Sequence, residues 1–333
     1  SLHDALPICS FTPTTVAVGG TIVITGTGFN SSSANKRVKF NGVTAAVTGA
    51  TATTLTVTVP AGATDGLLTV SYAGINLTSS QSFTVVSAPT LTSYTPSTVA
   101  VGGTVTITGT NFSATASDNV VKFNGVTAFV VSATDTTLVV TVPAGATAGT
   151  ITITYAGVTL TSSAYTVVTA PTLTSYTPGT LAVGGTVTIT GTGFSGTAGN
   201  NVVKFNGVTA TVSAATTTSL TVTVPAGATA GSITVTYAGV TLTSSAYTLV
   251  DTPTLTSFAP STVTASGTLI ITGTGFSTTA ANNVVKFAGT TATVTAATAT
   301  QLTVTVPASL VTVGATGTIT IQYAGVTLTT GTY

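Results

Sequence analysis

The chain has 333 residues, of which 3% are charged: six Lys or Arg and five Asp, for a net charge of +1. Ordinary soluble domains carry about 25% charged residues, and the only basic cluster here is Lys36, Arg37 and Lys39, so the electrostatic footprint of a nucleic-acid binder is missing. The mean hydropathy is high, but apolar residues alternate with Thr and Ser, and no run approaches the ~18 residues that span a bilayer.

In chain order, residues 1–7 come first and fit nothing that follows. They lack the apolar core of a signal peptide and read as translated adapter sequence. With no Met anywhere and a last strand that breaks off at Tyr333, the chain reads as a fragment of a longer frame. Cys9 is the single cysteine, so no intrachain disulfide can form; a small buried apolar group in the first strand is the expected role.

From residue 8 onward one unit is written four times. The string Gly102-Gly103-Thr104-Val105-Thr106-Ile107-Thr108-Gly109-Thr110-Asn111-Phe112 returns at residues 19–29, 184–194 and, less cleanly, 266–276. Phe29, Phe112, Phe194 and Phe276 therefore step by 83, 82 and 82 residues. The period sets the domains at 8–88, 89–170, 171–252 and 253–333, the last with a truncated final strand. Units of about 82 residues are long enough to bury their own cores.

The second unit serves for all. Leu91 to Tyr94 reads as a first strand ended by Thr95-Pro96, and Val101-Gly102-Gly103 turns the chain into the alternating strand quoted above, with glycines marking both its ends. Residues 111–119 form a polar loop. Asn124-Gly125 joins residues 120–123 to 127–131, because Asn-Gly readily takes the positive φ angles of a type I′ hairpin turn. Residues 137–142 end at Pro143, Ala156-Gly157 joins 150–155 to 158–160, and 164–168 finishes the unit. That is about seven strands, and no window has helical periodicity. Val, Ile, Leu, Phe and Tyr are expected in the gap between two sheets, with Thr facing water, where its β-branched backbone preference suits a strand.

The order Gly-Gly-Thr-Val-Thr-Ile-Thr-Gly-Thr-Gly-Phe, Val-Lys-Phe-Asn-Gly, Leu-Thr-Val-Thr-Val-Pro-Ala-Gly-Ala-Thr, Tyr-Ala-Gly, seen whole in residues 184–239, resembles the IPT/TIG domain, an immunoglobulin-like fold. The resemblance covers residues 8–333 and implies four tandem β-sandwiches, an all-β chain of the kind found in bacterial or archaeal cell-surface repeats, receptor stalks and accessory modules of glycan-active enzymes. The fourth unit departs from the pattern at residues 309–317, where the loop is longer. Connections such as Thr169-Ala170-Pro171-Thr172 lack the Gly/Ser length of a flexible tether, so the expected assembly is a semi-rigid rod.

Chemistry-bearing candidates are few. Gly191-Thr192-Gly193-Phe194-Ser195-Gly196 matches the dinucleotide-binding pattern, which needs a following helix; a hairpin is expected instead. The only His is His3, in the leader, and Asp65, Asp118, Asp135 and Asp251 fall at non-equivalent positions, so no triad, carboxylate pair or metal set is built into the repeat. No enzyme activity, metal or cofactor is expected. Lys39, Lys122, Lys204 and Lys286 recur once per unit; they read either as edge-strand charges that discourage stray pairing or as a ladder contacting acidic glycan or a neighbouring chain. Asn30, Asn76 and Asn111 fit the N-glycosylation pattern.

A surface with so little charge is poorly protected against self-association. The expectation is an extracellular or cell-surface structural protein, a stalk or self-assembling fibre glycosylated on its Thr/Ser-rich faces. The alternatives are an adhesin or carbohydrate-binding array, or an accessory region of a larger secreted glycan-active enzyme. Expected partners are further copies of the chain and surface glycans.

Overall fold

The computed structural model describes residues 8–310 and 317–333, with side chains from Ser10. The expected leader with His3, the Cys9 side chain and most of the fourth repeat's longer loop lie outside the described residues. Contacts divide the chain into two units, Ser1–Ala170 and Pro171–Tyr333, each holding two repeats.

Every repeat is an immunoglobulin-like sandwich with a closed core of its own. In repeat 2, one sheet has the order Phe129–Ala133, Thr137–Thr141, Thr104–Thr110, Thr90–Thr95. The other runs Thr98–Ala100, Val158–Val168, Gly149–Tyr155, Val120–Phe123, Val126–Thr127. Alternation places Val105, Ile107, Leu138 and Val140 of the first sheet against Val121, Phe123, Ile151 and Ile153 of the second, as the apolar-in, Thr-out pattern requires. Phe123 and Tyr165 pack edge to face at 5.2 Å, and Tyr165 donates its hydroxyl hydrogen to the Thr147 carbonyl. Tyr247 does the same to Thr229. Burial pushes the pKa of both hydroxyls up, so each remains a donor.

The positive φ values expected of the Asn-Gly turns are present: Asn124 44° and Gly125 88°, with matching values at 41–42 and 206–207, and at Ala288-Gly289. Each Asn also has a second task. The Asn124 amide donates to Thr147 Oγ1 at 2.9 Å and to the Ala148 carbonyl at 3.2 Å, tying the hairpin to the loop after Pro143.

Three departures from the sequence-based strand plan stand out. The strand predicted at 127–131 is broken at Ala128 in repeat 2, at Thr211 in repeat 3 and at Ala292 in repeat 4, whereas in repeat 1 Val43–Ala50 runs unbroken through both sheets and fuses them. Residues 158–168 form one strand with a bulge, where two segments were predicted. Thr98–Ala100 is an additional strand, parallel to residues 166–168. In repeat 4 no counterpart of this short strand is present among the described residues.

Candidate functional site

The two repeats of each unit meet through backbone. Ala156 and Gly157, with φ of 50° and 77°, form the tip of the hairpin between Gly149–Tyr155 and Val158–Val168. This tip docks on repeat 1: Ala17 donates its N–H to the Ala156 oxygen at 2.9 Å, and Thr21 donates to the Gly157 oxygen at 2.8 Å. The receiving turn is itself held by Gly20 N–H to Ala17 O and by bonds from Gly19 to Val59 and from Val59 back to Gly20. Side chains do not fit at the contact. A Cβ on Gly20 would stand 2.6 Å from the Ala156 oxygen, and one on Gly157 2.5 Å from the Thr21 oxygen.

The second unit repeats the geometry. Ala182 donates to Ala324 at 3.0 Å, Thr186 donates to Gly325 at 2.8 Å, and a Cβ on either Gly185 or Gly325 would lie 2.6 Å from an oxygen of the other repeat. We call the Ala-Gly tip a plug and the diglycine turn a socket. Ala156 and Ala324 are each 4% exposed, whereas Ala73, at the same place in repeat 1, is exposed.

Sequence reasoning read the diglycine as a turn alone. Only its first residue needs a positive φ, Gly19 at 82° and Gly184 at 79°; at the second, a Cβ would meet both the plug oxygen at 2.6 Å and the turn's own Ala17 or Ala182 oxygen at 2.9 Å. The clue was in the fourth repeat, where Ser266 replaces the first glycine at φ 61° and Gly267 is retained.

The connections are as short as expected, residues 87–89 in the first unit and 251–253 in the second. Both are clipped to a neighbouring repeat. Asn111 of repeat 2 donates its amide hydrogen to the Ala88 carbonyl at 2.9 Å, and Thr252 Oγ1 donates to the Val183 carbonyl of repeat 3 at 3.1 Å.

The other predicted residues are distributed as follows. Lys122 and Lys204 are exposed and Lys39 and Lys286 half-buried. Their strands lie between two others, with Lys122 opposite Thr127 and Thr152; the edge-strand role is thereby corrected, because the short hairpin return covers that side. Asn30, Asn76 and Asn111 are exposed. Asn30 is engaged on both amide atoms, donating to the Tyr72 hydroxyl at 2.7 Å and accepting from Lys36 Nζ at 2.6 Å. Lys36 was unremarked as a structural residue. It is 8% exposed, sits 5.0 Å from the Tyr72 ring centroid and organises the loop that buried Asn119, Asn201 and Asn283 organise in the other repeats.

The dinucleotide-like string is also placed. Gly191 lies inside the strand Thr186–Thr192, and the loop after Gly196 holds a single 3-10 turn, Ala198–Asn200, before Val202–Phe205, which offers no helix N-terminus to a pyrophosphate.

One aromatic departs from the core-like placement expected of nearly every Phe and Tyr. Phe129 is 74% exposed, with Val131 at 54% and Val120 at 42% beside it. The three border a cleft of about 610 Å³ whose remaining wall includes Thr115, Ser117 and Asn119 and carries no charged side chain. Repeats 1, 3 and 4 have Ala46, Thr211 and Thr293 at this position.

Residues 7–86, 89–169, 171–250 and 253–333 each match the family model described as the IPT/TIG domain. The chain belongs to the IPT/TIG family. No curated protein matches it. Among solved structures, the Plexin A4 full extracellular region matches with 17% identity and a TM-score of 0.37, covering 97% of this chain and 30% of that one. The surface glycan-binding protein PbSGBP-B from Prevotella bryantii matches with 20% identity and a TM-score of 0.23, over 48% of this chain and 42% of that one. A Bacteroides ovatus SGBP-B in complex with mixed-linkage heptasaccharide matches with 14% identity and a TM-score of 0.22, over 72% and 67%. The chain spans less than half of the plexin chains it matches.

Among the described residues of these IPT/TIG repeats, no three His, Cys, Asp or Glu side chains gather in a way that could hold a metal ion. Among the described residues no helix is long and apolar enough to cross a membrane.

Proposed function

We propose that this IPT/TIG chain is an extracellular spacer, a stalk or self-assembling fibre on a bacterial or archaeal surface, that it carries glycans on its Thr/Ser-rich faces, and that it has no reaction centre. The observation carrying this reading is the plug-and-socket joint. Two hydrogen bonds between main chains, glycines that admit no side chain, and a three-residue connection clipped to a neighbouring repeat suit a part that transmits force. A hinge would instead have slack in its linker and few contacts across it. The Thr faces suit the same role, since strands stay intact while their hydroxyls remain hydrated or accept sugars.

The test is electron microscopy of native material from producing cells, with mass spectrometry for attached sugars. Thin, uniform surface appendages that label for the chain and carry hexose on Ser or Thr are expected. Monodisperse, unmodified protein shed into the medium would overturn the reading.

A second reading, a carbohydrate-binding module, is favoured by Phe129. An exposed aromatic face in a cleft rimmed by hydroxyls and an amide is suited to stacking a sugar ring, and the absence of charge selects a neutral one. Because Ala and Thr occupy the same position in the other repeats, Phe129→Ala is expected to change stability by less than about 0.5 kcal/mol while abolishing binding on a neutral-glycan array. Binding that survives the substitution removes this reading.

A further inference from the structure

The plug-and-socket joint is built twice, and the two copies are walled differently. Beside the joint of repeats 3 and 4 lies a cleft of about 370 Å³. Thr177, Thr186 and Thr188 of repeat 3 stand on one wall, and Asn282, Gln322 and Tyr323 of repeat 4 on the other. None of the described residues lining it is charged. At the joint of repeats 1 and 2 the corresponding residues are Thr12, Thr21, Val23, Asp118, Thr154 and Tyr155. The cleft of repeats 3 and 4 therefore has a hydroxyl in place of Val23, a carboxamide in place of the Asp118 carboxylate and a carboxamide in place of the Thr154 hydroxyl.

Each change adds a neutral hydrogen-bonding group that the fold leaves available. Thr154 shares its hydroxyl with Thr159 Oγ1 across the hairpin at 2.9 Å, and Thr236 of repeat 3 does the same with Thr241. Gln322 faces Thr327 in the same register, but its longer side chain lines the cleft. Packing does not call for it: Gln322 is exposed, and Ser71, Thr154 and Thr236 hold its place in the other repeats. Asn282 donates one amide hydrogen to Ser277 Oγ at 3.1 Å, and its carbonyl oxygen has no protein partner among the described residues.

We infer that this cleft binds one or two rings of a neutral sugar, held between repeats 3 and 4. A carboxamide offers two donors and an acceptor, which matches the hydroxyls of a sugar, and the half-buried Tyr323 ring supplies an apolar flank. The volume falls at the small end of the ~300–1,000 Å³ of ligand pockets. A charged sugar would give up hydration and meet no opposite charge in return. The ligand reaches both walls only while Ala324-Gly325 is seated in its socket, so occupancy favours the docked joint by mass action. The site lies apart from the Phe129 cleft of repeat 2, and its occupancy does not depend on the chain forming a fibre.

The experiment is isothermal titration of the full chain carrying Phe129→Ala, which removes the ring of the repeat 2 cleft, with cellobiose, maltose, mannobiose and digalacturonic acid as probes. Saturable binding of at least one neutral disaccharide at a single site is expected, and no binding of digalacturonic acid. Asn282→Asp combined with Gln322→Thr writes the residues of the first joint into the second and is expected to weaken binding by about tenfold or more. The reciprocal set, Val23→Thr, Asp118→Asn and Thr154→Gln, is expected to raise the stoichiometry from one site to two. With sugar bound, hydrogen exchange is expected to slow at the Ala182 and Thr186 amides, which donate across the second joint, and to stay unchanged at Ala17 and Thr21. The substituted residues already serve the equivalent positions of the other joint, so loss of binding does not report loss of folding. No saturable binding of any neutral probe, equal binding of digalacturonic acid, a reciprocal chain that stays at one site, or binding indifferent to the double substitution overturns the inference. Each of these results leaves the spacer reading standing, because the backbone bonds of the joint are untouched.

Discussion

Gly157→Val is expected to free repeat 2 from repeat 1 without unfolding either. Valine at φ 77° is strained by roughly 1–2 kcal/mol wherever it sits, and here its Cβ would also stand 2.5 Å from the Thr21 oxygen and 2.8 Å from the Thr21 nitrogen. Neither atom can yield, because both belong to the backbone of a strand paired on its far side with Thr54–Thr58. The plug must withdraw, and the bonds to Ala17 and Thr21, worth about 0.5–1.5 kcal/mol each, are lost. Gly74→Val is the matched control, with φ 80° and nothing within 4 Å. Spin labels on the outer strands of repeats 1 and 2 report the difference: one narrow distance distribution for the parent and for Gly74→Val, and a broad one for Gly157→Val. A narrow distribution in all three would mean that the plug does not hold the joint, and the spacer proposal would lose its support.

How much of this was legible in the sequence follows from the range of each interaction. The four-fold period, the alternation of Val and Ile with Thr, and the Asn-Gly turns are local signals, and the strands and hairpins they predicted formed. Thr98–Ala100 was missed because it is three residues long and pairs with residues 166–168, nearly seventy positions away. The second glycine of each filled socket was visible, but the closest atom that excludes a side chain there belongs to another repeat. Lys36 was counted as part of a basic cluster. Its burial beneath Asn30 and Tyr72 depends on which residues the loop folds over it, and neither composition nor spacing reports that.

The glycine that closes each alternating strand shows the same limit, and the largest loss of stability is expected there. Read from the sequence, Gly191 marks the end of a strand and opens a dinucleotide-like string. In the fold it is a strand residue without positive φ, and a Cβ on it would fall 2.0 Å from the Thr172 carbonyl oxygen and 2.6 Å from Cζ of Phe194. The first strand of repeat 3 bulges against it between Leu173 and Ser175, and the Phe194 ring, 2% exposed, closes over the same spot. Gly191→Ala therefore has to push the edge strand off the sheet or expel the ring, at a cost of the order of a lost core aromatic, about 3–5 kcal/mol. That is a large part of the ~5–15 kcal/mol that holds a domain folded. Because each repeat has its own core, hydrogen exchange followed by mass spectrometry is expected to show loss of protection across residues 171–250 and native protection in repeats 1 and 2. Gly196→Ala, five residues on with nothing within 4 Å of its added Cβ, is expected to leave exchange unchanged. A dinucleotide site would make both glycines matter for binding and neither decisive for folding. If Gly191→Ala exchanges like the parent, the close approach of the Thr172 carbonyl is not a constraint the fold obeys.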